Sequence, residues 1–148
     1  MNWLDLLRDP LLRSVTLVFW LLPCAIQDRR TRHVSNWLTV PLFLLAWPAT
    51  LLTDNLLLTL AVFIGVVVAW RWGGGVGPAD GKLMVGMAAL APPALALGAL
   101  LEMVAFAVLR LRGRRDAVIP GALWLYLGSV LSTGACAILA TFGTKACP

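Results

Sequence analysis

Charged residues are scarce in this chain. Of its 148 residues, only 13% are Asp, Glu, Lys or Arg, whereas 60% are hydrophobic. A soluble domain carries about 25% charged and about 45–50% apolar residues, so this composition excludes an ordinary water-soluble enzyme and a disordered segment alike. The long apolar runs predict instead an integral membrane protein with almost no domain outside the bilayer.

Metal-binding side chains are also few. His33 is the only histidine, and the three cysteines are far apart and form no Cys-x-x-Cys pair. Because a structural zinc site needs four such ligands, the sequence predicts no metal and no cofactor. The net charge of +5 does not indicate nucleic acid, since the basic residues flank apolar runs and leave no basic surface to bind it.

Hydropathy divides the chain into six apolar segments. A helical crossing of the bilayer takes about 20 apolar residues, and five of the segments approach that length. The fourth is shorter and is followed by Pro92-Pro93, which should break the helix. We therefore predict an all-α, polytopic bundle of six transmembrane helices, formed by one domain over residues 1–148. The predicted spans are 11–27, 37–53, 55–72, 81–91, 93–110 and 119–142.

The basic residues predict how this bundle is oriented. Nine of the 12 lie in alternate connections, at 29–32, 71–82 and 110–115, and the connections between them contain none. Because Lys and Arg are retained on the cytoplasmic side of a membrane, these three clusters should face the cytoplasm. Both termini are then predicted to lie outside.

Three of the seven acidic residues are not explained by solvation at a terminus or in a loop. Asp28 ends the first span, Asp80 follows a glycine-rich loop, and Glu102 lies within the fifth span. Ionisable groups at membrane depth are costly, so each is a candidate for function. For Glu102 we favour a hydrogen-bonded role inside the bundle over a catalytic one.

Asp28 and Asp80 each have a structural and a catalytic interpretation. Asp28 could cap its helix or pair with Arg29 or Arg32, and Asp80 could be a plain N-cap. The topology, however, places both at the cytoplasmic ends of their helices. Two carboxylates at one depth could share a proton, so that one activates water while the other polarises a peptide carbonyl.

The residues around these aspartates resemble two motifs of the type IV prepilin peptidase family of intramembrane aspartyl proteases. The first motif is matched by Asp28, Arg29, Arg30, Thr31, Arg32, Val34, Asn36, Trp37, Leu38 and Thr39. The second is matched by Gly75, Gly77, Asp80, Lys82 and Leu83, and a weaker third similarity is Ile119-Pro120-Gly121. Ser35 stands where the family usually has Pro, and Ala79 where it often has Gly.

The resemblance implies a membrane-embedded aspartyl endopeptidase that removes the leader of prepilins or pseudopilins at the cytoplasmic membrane face. It implies Asp28 and Asp80 as the catalytic pair and a multi-pass location in the cytoplasmic (inner) membrane, with the prepilin substrate and membrane lipid as partners. The supporting residues would be Asn36, Gly75, Gly77 and Lys82. Larger members carry paired Cys-x-x-Cys motifs and an N-methyltransferase activity, so this chain is similar to the short, peptidase-only enzymes of Flp-type (tight-adherence) pilus systems.

Two alternatives from other classes stay open. A small proton- or cation-coupled transporter would use Asp28, Asp80 and Glu102 as an ion path, and it predicts polar residues through the whole membrane depth. A non-catalytic membrane subunit of a pilus or secretion system would tolerate the loss of either aspartate. The position of both aspartates at one edge of the membrane favours the protease.

Overall fold

The computed structural model describes residues 9–72, 77–113 and 119–142, and within these ranges it consists of six α-helices and no strands. The predicted all-α class is confirmed. The helices are α1 (Pro10–Thr31), α2 (Asn36–Thr53), α3 (Leu56–Arg71), α4 (Pro78–Leu90), α5 (Pro92–Leu111) and α6 (Gly121–Thr141). Four of them, α1, α2, α5 and α6, are long and apolar enough to cross a membrane, whereas α3 is a shorter apolar helix.

The first two helices begin at polar capping residues. The Asp9 carboxylate accepts hydrogen bonds from the backbone N–H groups of Leu11 and Leu12, at 2.9 and 3.3 Å. Ser35 caps α2 in the same way, with its hydroxyl oxygen 3.3 Å from the nitrogen of Trp37. Such caps satisfy N–H groups that have no partner within the helix, so they fix where each helix starts.

The predicted break between the fourth and fifth helices is confirmed. Ala91 separates them with a non-helical backbone (φ −149°, ψ 72°), and Pro92 and Pro93 form the first turn of α5. Proline is tolerated in a first turn because the N–H that it lacks has no acceptor there. The pair therefore starts a new helix instead of kinking one long helix.

Helix α4 lies at the centre of the bundle and contacts all five other helices. Its 13 residues span about 20 Å, which is less than the hydrocarbon thickness of about 30 Å. The helix is therefore too short to cross the hydrocarbon layer by itself, and Ala91, which follows it, is buried. Leu83 and Met87 of α4 are completely buried and pack with Leu17 and Leu21 of α1 and with Leu125 of α6.

Helices α5 and α6 pack backbone against backbone at two glycines. A Cβ on Gly128 would collide with the backbone of Gly98, and a Cβ on Gly98 would lie 2.9 Å from the Cα of Leu125. Small residues let membrane helices pack backbone against backbone, where van der Waals contact replaces the missing hydrophobic driving force. This contact fixes α6 against α5 in the middle of the bundle.

The outer surface of the bundle is apolar, as expected of helices that face lipid. Phe19 is 71% exposed and Leu57 is 84% exposed. Three exposed tryptophans, Trp37, Trp70 and Trp72, lie where α2 begins and α3 ends. Aromatic side chains are enriched where a membrane protein meets the headgroups, so these tryptophans mark one interface.

Candidate active site

Asp28 lies in the last turn of α1. This helix ends at Thr31, four residues beyond the predicted end of the first span at residue 27. Its side chain is only 7% exposed, and its Oδ2 accepts a hydrogen bond of 3.0 Å from the backbone N–H of Ala122 at the start of α6. The neighbouring Arg29 is exposed. The Asp28 carboxylate therefore joins α1 to α6, and its role extends beyond capping its own helix.

Asp80 is the third residue of α4. The N-cap of this helix is Gly77, and no side chain caps it, so the interpretation of Asp80 as a plain N-cap is wrong. The partly buried carboxylate lies against Gly121 of α6: a Cβ at position 121 would be 2.8 Å from both Cγ and Oδ2 of Asp80. Only glycine leaves room for the carboxylate at this point.

The two predicted catalytic aspartates thus meet at the first turn of α6. Asp80 packs against Gly121, and Asp28 accepts a hydrogen bond from the backbone N–H of the next residue, Ala122. They are close enough for the charge of Asp28 to act on Asp80. The positive end of the α6 dipole points at both carboxylates and favours negative charge there.

Glu102 belongs to the same electrostatic neighbourhood. It is partly buried on α5, and its charge acts on Asp80 as well. The structure therefore groups the three acidic residues that the sequence singled out. Of the three, Asp28 and Asp80 contact the first turn of α6.

Two of the predicted supporting residues form a bond between the motifs. The Lys82 ammonium donates to Asn36 Oδ1 at 2.8 Å, which ties the start of α2 to the first turns of α4. Gly77 is also close to the site, since a Cβ there would lie 3.3 Å from Asp80 Oδ2. Gly75, the fourth supporting residue, lies outside the described residues.

Ser35, which replaces the usual proline of the first motif, keeps the backbone shape that proline would impose. Its φ of −63° and ψ of 140° lie in the region that a proline adopts. The N–H that proline would lack donates to Gln27 Oε1 at 2.9 Å. The substitution therefore adds a bond between α1 and the start of α2 without changing the turn.

The sequence did not assign a role to Gly121 or Ala122, although both touch the catalytic candidates. The available signal is the Pro120-Gly121 pair at the start of the last span, which belongs to the weaker third similarity. A glycine directly after a proline at a helix start gives no indication of which distant residue it approaches. That contact follows from the packing of α6 against α1 and α4.

Comparison with known protein families supports the resemblance seen in the motifs. The model of the type IV leader peptidase family matches residues 15–111, which is more than half of the chain. The chain therefore belongs to the type IV leader peptidase family. Comparison with curated proteins and with solved structures found no match. The matched range contains Asp28 and Asp80 and ends at the last residue of α5, so the α6 contacts lie outside it.

Proposed function

We propose that this protein is an aspartyl endopeptidase that removes the leader of prepilin-like proteins at the cytoplasmic face of the inner membrane. The observation that carries the proposal is the meeting of Asp28 and Asp80 at the first turn of α6. Two carboxylates in such proximity do not both ionise readily, so the pair holds one proton between them. Such a pair contains both a base and an acid for peptide hydrolysis.

The reaction begins with water placed between the pair and the scissile carbonyl. The ionised carboxylate takes a proton from water as the water oxygen bonds to the carbonyl carbon, and the protonated carboxyl gives its proton to the carbonyl oxygen. The resulting gem-diol then collapses: one of its hydroxyls gives a proton to the ionised carboxylate, the C–N bond breaks, and the nitrogen takes a proton from the protonated carboxyl and leaves as an amine, so that the pair again holds one proton. Asp28 and Asp80 carry these steps as one unit.

The start of α6 holds the pair in position for this chemistry. The Ala122 N–H fixes Asp28 Oδ2, while the absence of a side chain at Gly121 lets the Asp80 carboxylate come close. The helix dipole stabilises the negative charge that the pair keeps throughout the cycle. In this proposal α6 is a positioning element, and neither residue reacts.

The basic residues support the proposed membrane face. Arg29 and Arg30 lie in the last turn of α1, and Arg71 lies in the last turn of α3, at the end of the bundle where α4 begins with Asp80. Positive residues remain in the cytoplasm, so the pair would open toward that side. A leader that precedes a hydrophobic helix would present an extended peptide at this depth.

The transporter alternative has less support than the peptidase. An ion path would need polar side chains through the membrane depth. The completely buried large side chains farther along α1 and α4 are apolar, among them Leu17, Leu21 and Met87. The completely buried polar side chains of the other helices are uncharged hydroxyls, those of Thr39, Thr50, Thr59 and Ser129. The three carboxylates that interact electrostatically therefore form one group and do not form a chain of sites across the bilayer.

Co-expression with a candidate prepilin tests the proposal. We expect wild type to shorten the prepilin, and we expect Asp28→Asn and Asp80→Asn each to leave it at full length while remaining in the membrane fraction. Asp54→Asn is the matched control, because Asp54 is an exposed acid at the end of α2 and should not affect cleavage. Normal maturation by both variants would overturn the mechanism, and failure of wild type on any prepilin would overturn the substrate class.

A further inference from the structure

A crevice separates α1 from α2 at the end of the bundle opposite Asp28 and Asp80. It has a volume of about 420 Å³ and is open at the surface of the protein. Most of its lining is apolar, formed mainly by Leu17, Trp20, Leu42, Leu45, Pro48 and Leu52. The crevice therefore offers an apolar trough that is distinct from the proposed active site.

The length of this trough matches one leaflet of a bilayer. On α2 it extends from Leu42 to Leu52, which is about 15 Å along a helix. This is half of the hydrocarbon thickness of about 30 Å. A single extended acyl chain that reaches from the headgroups to the bilayer centre would follow it from end to end.

Arg13 places a positive charge at the outer end of the crevice. It is the fourth residue of α1, and its Nε is buried without a hydrogen-bond partner in the described part of the chain. The other polar groups of the lining are engaged, since the Thr16 hydroxyl donates to Leu12 and the Trp20 indole N–H donates to Leu38. A buried donor without a partner is costly, so a partner from outside the protein is expected.

Asp9, the acidic residue at the same end of α1, does not supply the missing hydrogen-bond partner of Arg13. Asp9 is near enough for its charge to act on Arg13. Its Oδ1, however, caps the backbone N–H groups of Leu11 and Leu12, and the Arg13 Nε keeps no hydrogen-bond partner in the described part of the chain. A guanidinium matches the geometry of a phosphate through paired N–H groups. At the depth of Arg13, close to the headgroups, every phospholipid of the leaflet presents such a phosphate.

We propose that this crevice binds one phospholipid, with its phosphate on Arg13 and one acyl chain along the trough between α1 and α2. The other conceivable occupant is the hydrophobic helix of the substrate. It is less suited to the crevice, because an apolar helix offers no anion to Arg13. A lipid at this position would fill the gap between α1 and α2 at the end of the bundle away from the aspartates.

Native mass spectrometry of the purified full chain, titrated with phosphatidylglycerol, tests this proposal. We expect Arg13→Gln to weaken binding of one phosphatidylglycerol by about tenfold, as the loss of one charged hydrogen bond would. Arg71→Gln is the matched control, because Arg71 is an exposed arginine at the opposite end of the bundle, and it should bind like wild type. Circular dichroism verifies that each variant keeps its helices.

Two further binding experiments distinguish the contribution of the phosphate from that of the acyl chain. Diacylglycerol, which lacks the phosphate, should bind equally weakly to wild type and to Arg13→Gln. Ala49→Leu, which fills the crevice, should weaken the binding of both lipids. Equal binding of phosphatidylglycerol by wild type and Arg13→Gln would overturn the proposal, as would displacement of the bound lipid by a prepilin's hydrophobic segment.

Discussion

The Cα of Gly121 lies directly against the carboxylate of Asp80, so that a Cβ at this position would be 2.8 Å from Asp80 Cγ. The next residue, Ala122, donates its N–H to Asp28. Two consecutive residues of α6 therefore hold two carboxylates that are 52 positions apart in the chain. The last helix belongs to the proposed active site even though it carries neither aspartate.

Gly121→Ala is expected to reduce cleavage while the protein still folds. The new methyl group would collide with the Asp80 carboxylate and displace it from Asp28. A misplacement of about 1 Å in a catalytic group can lower the rate by about 100-fold. The measurement is the initial rate of prepilin cleavage by purified variants at equal protein concentration.

Gly134→Ala is the control for this substitution. Gly134 lies on the same helix and a Cβ there would meet nothing within 4 Å. The variant should therefore cleave at the wild-type rate. Equal rates for Gly121→Ala and wild type would contradict the positioning role of α6.

Gly128→Ala is expected to destabilise the bundle, because its methyl group would overlap the backbone of Gly98 on α5. Overpacking of this kind costs about 1–3 kcal/mol. The measurement is thermal unfolding in detergent, followed by circular dichroism. Gly65→Ala, where a Cβ would meet nothing within 4 Å, should unfold at the wild-type temperature or above it.

Glu102→Gln is expected to retain cleavage at a rate near that of wild type. Glu102 influences Asp80 through its charge, but the contacts that position the pair come from Asp28, Asp80 and the start of α6. The glutamine keeps the size and hydrogen-bonding capacity of the side chain. The same cleavage assay measures the effect, and loss of cleavage as complete as that of Asp80→Asn would make Glu102 a third catalytic group.

Hydropathy and proline placement predicted most of the fold. All six predicted spans begin and end within four residues of the helices, and Pro92-Pro93 separates two of them. The chief difference is α1, which continues to Thr31 beyond its predicted end at residue 27. A span predicted from hydropathy ends where polar residues begin, whereas a helix continues as long as its backbone hydrogen bonds are formed. The extra turn of α1 contains Asp28 and places it against α6.

The candidate site was predicted only in part. Asp28 and Asp80 stood out because charge is rare in an apolar chain, and their depth suggested a pair. The contacts with Gly121 and Ala122 depend on how three helices pack, and no local pattern encodes that packing. The bond from Ser35 to Gln27 was equally hidden, because it arises where the chain departs from the family motif.

A comparison of single and double variants tests the claim that Asp28 and Asp80 act as one catalytic unit. The initial cleavage rate of a prepilin is measured with purified Asp28→Asn, Asp80→Asn and the variant that carries both substitutions. Groups that act as a unit are strongly non-additive, so each single variant should lose as much activity as the double variant. Substantial cleavage by either single variant, or losses that multiply in the double variant, would contradict the claim.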